Sequence, residues 1–195
     1  MKKADDLFGE IYRIDQDTDR YMIEIALDRY ADIFSTWDPA PFKRRAMDPD
    51  LELYLEGSSD EISSRYPIEL YFTLPAGSRN AAIEDETRYG LRNVFIFKIY
   101  LIKKELGKTN ALILRYVLLG FIFLWIGTVS FKHPSDNVWL SLVADALIIG
   151  GWVFLWEAVS LFFFTNRELY QRYRTYRRLQ NAPVIFREVD SQSPS

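Results

Sequence analysis

Glu157 and Arg115 are the charged residues whose surroundings say most about chemistry, because each lies inside a long apolar block. Glu157 stands about seven residues, so roughly 10 Å, above the charged end of its block, and Arg115 roughly 6 Å above the end of the other. An acid at that depth in a bilayer costs about 2.5–3.5 kcal/mol, so it takes a partner or water. Two chemistries follow. Glu157 can serve as a proton or cation site, or it can pair with Arg115, whose long side chain covers the difference in depth. The matched depths favour the pair. Asp145 is the other acid of the second block. It reads as an outer-interface residue if that span starts at Ala146, and as a buried one if it starts at Val138. Were both acids to line a pore, they would favour cations.

Much other chemistry is excluded. The chain has no Cys, which removes disulfides, thiolate metal sites and Cys nucleophiles. The single His, His133, cannot head a metal site alone. Asp15-x-Asp17-x-Asp19 opens like a calcium loop, but Arg20 stands where that loop needs Gly and Ala26 where it needs Glu. It reads as a solvated turn. Lys43-Arg44-Arg45 can touch phosphate or anionic lipid, and reads as ordinary surface. There is no Gly-rich phosphate loop, nucleophile elbow or zinc signature. The expectation is therefore no catalytic residue, no metal and no cofactor. A net charge of −3 gives no basic field for nucleic acid.

The blocks themselves set the class. Residues 111–131 form a 21-residue stretch interrupted only by Arg115, and Ala146–Phe164 forms one of 19 residues with one acid, Glu157. A membrane helix needs about 20 apolar residues, so both read as spans, the second with Val138 as an alternative start. The mean hydropathy of −0.11 is then an average of unlike parts. No apolar stretch follows the N-terminal lysines, so no signal peptide is expected. Lys103, Lys104 and Lys108 precede the first span, and Arg167, Arg172, Arg174, Arg177 and Arg178 follow the second. The connecting loop Lys132–Asn137 has one Lys. The positive-inside rule puts both termini in the cytoplasm, on a plasma (cell inner) membrane, with a short loop outside. Residues 1–110 carry 16 basic and 21 acidic side chains, while 165–195 carry 6 and 3. The five arginines after the second span accordingly read as facing anionic lipid at the cytoplasmic leaflet.

The elements that position these residues can also be read. Gly120 and Gly127 in the first span, and Gly150 and Gly151 in the second, are small residues that let antiparallel helices approach. Trp139 fits the outer aromatic belt and Tyr170 the inner one, with Trp125, Trp152 and Trp156 packing deeper. Tyr21–Leu27 and Ile68–Leu74 alternate as half-buried strands, and Gly9–Ile14 reads as a third. Asp48-Pro49 starts a helix, with Asp as N-cap and Pro at the first position. A long helix begins near Ser78, its expected cap, and meets the first span near Gly107. Its apolar residues cover more than one stripe, so it is expected to pack on the sheet and on a neighbour. Asn166–Gln180 continues helical, with Leu169, Tyr173, Tyr176 and Leu179 on one face and arginines on the other. Val184–Phe186 adds an edge strand, and the SQSPS tail reads as disordered.

The segments WDPAPFKRRAMDPDLELYL and YPIELYFTLP, the long helix, and the block ending IGGWVFLWEA resemble, from Tyr21 to Phe186, a group of small uncharacterised bacterial two-span membrane proteins. The resemblance implies this layout and no activity. The expected architecture is an α+β cytoplasmic domain over 1–110, a two-helix transmembrane hairpin over 111–164, and a basic cytoplasmic helix with a tail over 165–195. Long helices flank the membrane. The expected role is a membrane-anchored binding or scaffold module, homo-oligomeric, with the lipid bilayer and a cytoplasmic protein as partners. The alternative is an oligomeric channel or transporter subunit using Glu157.

Overall fold

The computed structural model describes residues 11–129 and 138–189. It divides into two compact units, Met1–Tyr100 with Arg174–Ser195, and Leu101–Tyr173. The expected outer loop with His133, the SQSPS tail, and Gly9 and Glu10 of the expected first strand lie outside the described residues.

The first unit is a small α+β part built on a four-stranded sheet in the order β1-β2-β3-β4. β1 (Ile14–Asp15) runs antiparallel to β2 (Arg20–Ala26), which runs parallel to β3 (Ile68–Leu74), itself parallel to β4 (Val184–Glu188). The alternation in the sequence is the alternation of faces. Tyr21, Ile23 and Ile25 are buried on β2, and Ile68, Leu70, Phe72 and Leu74 on β3. Register places Ile23 beside Leu70, and Phe72 between Ile25 and Phe186. The Phe72 and Phe186 rings stack with centroids 5.3 Å apart, at the centre of this core. Between β1 and β2 the chain turns through Asp19 at φ 55, a left-handed conformation that Asp tolerates better than most residues.

Helix α1 (Pro49–Glu61) links β2 to β3. The Asp48 carboxylate caps it, Oδ1 accepting from the backbone N–H of Asp50 at 3.0 Å and of Leu51 at 3.3 Å. Helix α2 (Ala81–Val129) is unbroken for 49 residues, straight through Gly107. Its cap is Asn80 rather than Ser78, with Asn80 Oδ1 accepting from Ala82 and Ile83 N–H. Ser78 is used one turn earlier. Its N–H closes a turn onto Pro75 O, which Gly77 makes possible at φ 78. Within the sheet unit, Leu91 and Phe95 of α2 are buried, whereas Ile96, Phe97 and Tyr100 are exposed. On another side Asn93 Nδ2 donates to Lys43 O at 2.7 Å, so the open stripe within the unit is the one formed by Ile96, Phe97 and Tyr100.

Helix α3 (Val138–Ser160), a π-helical turn (Leu161–Thr165) and α4 (Asn166–Asn181) follow without interruption. The apolar parts of α2 and of the α3–α4 run are each long and apolar enough to cross a membrane, and only 11% of the residues in each one's most apolar window are buried. A core helix of a soluble protein buries most of its apolar surface, so this is the opposite pattern. β4 then adds to the sheet, extending two residues beyond the predicted Val184–Phe186.

Candidate functional site

The glycines form the seam of the helical unit. A Cβ on Gly151 would lie 2.7 Å from Leu124 Cγ and 3.0 Å from Gly120 O; one on Gly120 would lie 2.7 Å from Leu155 Cγ and 3.0 Å from Gly151 O. One on Gly127 would meet Ile148 Cγ1 at 2.8 Å and Ala144 O at 3.2 Å. These approaches leave no room for a side chain. Gly150 is looser, its Cβ reaching Phe123 only at 3.4 Å. Partners of Gly127 precede those of Gly120 along α3, so α2 and α3 run antiparallel. Phe154 stacks on Tyr116 and meets Phe123 edge-on, with centroids 5.9 and 5.3 Å away. Nearby, Asn166 Nδ2 donates to Asn110 Oδ1 at 2.8 Å.

Arg115, Glu157 and Asp145 are all exposed on this pair of helices. Among the described residues no ion pair joins Arg115 to Glu157, although the seam sets them level: with Gly120 opposite Gly151, position 115 falls within about one residue rise of 157. Rotation along each helix explains the separation. At about 100° per residue, Arg115 points roughly 140° away from the Gly120 seam and Glu157 roughly 120° away from Gly151. Because the helices run in opposite directions, both charges fall on the flat face that carries Phe123 and Phe154. Asp145 falls on the opposite face, with Trp125, Trp152 and Trp156, all exposed.

Arg167, Arg172, Arg174 and Arg177 are exposed on α4. Arg178, grouped with them from the sequence, is used differently. Its Nη1 donates to the carbonyls of Ser59 at 2.6 Å and Ile62 at 2.7 Å, and its Nη2 to those of Ser63 at 3.1 Å and Tyr66 at 2.6 Å. Those carbonyls belong to the last turn of α1 and the chain leaving it, which have no intrahelical donors left. A guanidinium has the planar fork to satisfy several of them at once. Arg178 is therefore the C-terminal closure of α1 and is not available to lipid. Beside it Tyr176 is buried, its hydroxyl donating to Glu52 Oε1 at 2.6 Å, while Lys98 Nζ holds the same Glu52 oxygen at 2.7 Å.

Glu84, in the first turn of α2, is a buried acid met by two arginines. Arg79 Nε donates to Oε1 at 2.8 Å and Arg88 Nη2 to Oε2 at 3.1 Å, and the Tyr30 hydroxyl donates to Oε1 at 3.3 Å. Arg88 also donates to Val184 O and lies over the Phe186 ring, so the cluster ties α2 to β4. Hydrogen bonding from Arg79, against the opposing cost of burial, holds the Glu84 carboxyl below the ordinary Glu range. A depressed folded pKa contributes stability above the unfolded pKa, and that contribution is lost as pH falls through the folded one. Glu84→Gln is therefore expected to cost about 2 kcal/mol near neutral pH. The gap from wild type closes as pH falls below about 4. Melting curves of the full chain in detergent across pH would check this; parallel curves for the two proteins would contradict it.

Glu69 is a second acid that departs from the pattern, since alternation assigns it to the open face of β3. It is buried, Thr18 Oγ1 donates to its Oε2 at 3.2 Å, and its Oε1 has no partner among the described residues. Burial raises its carboxyl above the ordinary range. The acidic turn near it folds on itself, with Asp15 Oδ1 accepting from Asp17 N–H at 2.9 Å. The basic cluster is likewise occupied locally: Lys43 lies 3.5 Å from Glu86, and Arg45 Nε donates to Ala40 O. Compared with known proteins, the chain matches no family model, no curated protein and no solved structure.

Proposed function

We propose that the chain is a membrane-anchored binding or scaffold module, in which a two-helix transmembrane hairpin holds the α+β sheet unit at the cytoplasmic face of the cell membrane. One observation carries the reading. β3 and β4 are hydrogen-bonded neighbours in one sheet, yet the two apolar helices lie between them in the chain. A chain that leaves the sheet through α2 and rejoins it through α4 must cross any bilayer an even number of times. Two helices of spanning length supply that number. The lysines before the first span and the arginines after the second support a cytoplasmic position for both termini. Exposed Arg167, Arg174 and Arg177 support contact with anionic headgroups, each worth about 1 kcal/mol near the surface. Ile96, Phe97 and Tyr100 give the sheet unit an apolar stripe on α2 suited to a protein partner, and homo-oligomerisation belongs to the same reading.

Reconstitution tests this. The full chain is expected to stay with the bilayer through alkaline carbonate extraction. Proteoliposomes carrying it are expected to pass protons and monovalent cations no faster than empty vesicles. Extraction into the carbonate wash would overturn the membrane reading. A flux abolished by Glu157→Gln would replace the scaffold with the channel.

A further inference from the structure

We propose that a second copy of this chain docks on the face of the helix pair that carries Arg115 and Glu157, each Arg115 pairing with Glu157 of the partner subunit. The inference rests on the membrane reading above and names the surface through which the protein assembles. Both charges are exposed in the single chain, on the same flat face and level with each other. Each would be costly against lipid at that depth. The short Glu157 side chain cannot reach the headgroups as a long Arg can. The face is self-complementary. A two-fold axis along the membrane normal preserves depth and exchanges left and right, so it sets α2 of one subunit across from α3 of the other. Arg115 then meets Glu157 of the partner subunit, twice, in an isologous interface. Around the charges the face offers Tyr116, Leu119, Phe123, Gly150 and Phe154, which are apolar or small and suit close helix packing. The opposite face, with Asp145 and the three tryptophans, has no basic residue to complete such a pairing and is left to lipid and the interface.

Charge exchange in trans tests this. Because the chain has no Cys, one introduced at Thr36 takes a donor or acceptor dye on the full-length protein. In vesicles of phosphatidylethanolamine and phosphatidylglycerol, the wild type is expected to show energy transfer between copies. Arg115→Glu and Glu157→Arg are each expected to weaken association about tenfold or more, since each sets like charges together. An equimolar mixture of the two variant chains restores both pairs across the interface, and energy transfer between them is expected to return close to the wild-type level. That restoration requires the pairs to be intermolecular. Single variants that associate like wild type, a mixture that stays unassociated, or a wild type monomeric at every protein-to-lipid ratio would overturn the proposal while leaving the membrane reading intact. Failure to insert would overturn that reading, and this one with it.

Discussion

Arg178→Ala is expected to destabilise the sheet unit by about 3 kcal/mol. The side chain supplies four hydrogen bonds to carbonyls at the end of α1, and its removal leaves those of Ser59, Ile62 and Tyr66 without that donor, while Ser63 O keeps the Tyr66 N–H at 3.0 Å. For a unit of this size the melting midpoint should fall by roughly 10 °C. Arg178→Lys recovers less than half of the loss, because an ammonium cannot reach four carbonyls in a planar fork. Arg177→Ala, one residue earlier and exposed, is expected to change the midpoint by no more than about 2 °C. Thermal melts of the three variants in detergent, with protease sensitivity at Ser63–Tyr66, would check this. Equal midpoints for Arg177→Ala and Arg178→Ala would contradict it.

The second large effect is at the glycine seam. Gly151→Leu is expected to separate α2 from α3, at a cost of about 3 kcal/mol or more. The obstacle includes backbone, since the new Cβ meets Gly120 O at 3.0 Å as well as Leu124 at 2.7 Å. Neither helix can yield locally without opening the whole pair. The same change graded by position makes the test sharp. Gly150→Ala meets only Phe123 at ordinary contact distance and is expected to be nearly neutral. Gly107→Ala meets nothing within 4 Å and removes a helix-interior glycine, so it should stabilise α2 by about 0.5–1 kcal/mol. Unfolding followed by tryptophan fluorescence would rank the three. A Gly151→Leu protein as stable as Gly150→Ala would show that the seam is not close-packed.

Much of this architecture was legible in the sequence because it is local. Strict alternation in Tyr21–Leu27 and Ile68–Leu74 needs no knowledge of partners to predict strands, and Asp48-Pro49 encodes a helix start within two residues. The lengths of the apolar blocks predict helices of spanning length for the same reason. What stayed hidden depends on distant pieces meeting. Arg178 stands among exposed arginines, and nothing in its neighbours separates it from Arg177. The only trace lay at the other end of the contact: α1 runs out at Glu61-Ile62-Ser63 with no Gly or Asn to close it, so its carbonyls needed donors from elsewhere. Glu84 was legible as an acid near a helix start, but its burial depends on Tyr30, Arg79 and Arg88 converging on it. Glu69 broke the alternation rule because β3 is an interior strand, paired on both edges, and the turn after β1 brings Thr18 to its carboxylate. At Arg115 and Glu157 depth was readable from counting, while the failure to pair within one chain needed the rotation of both helices about the seam.

In the proposed topology the chain leaves the sheet unit, crosses the membrane twice and returns to the same side to supply β4. Single cysteines at Ser78, Ser135 and Asn181 in the Cys-free chain, probed in intact cells with a membrane-impermeant maleimide, test it most directly. Only Ser135→Cys is expected to be labelled in intact cells, with Ser78→Cys and Asn181→Cys labelled together once the membrane is permeabilised. Labelling of Ser78→Cys and Asn181→Cys from opposite sides, or of all three equally in intact and permeabilised cells, would contradict it.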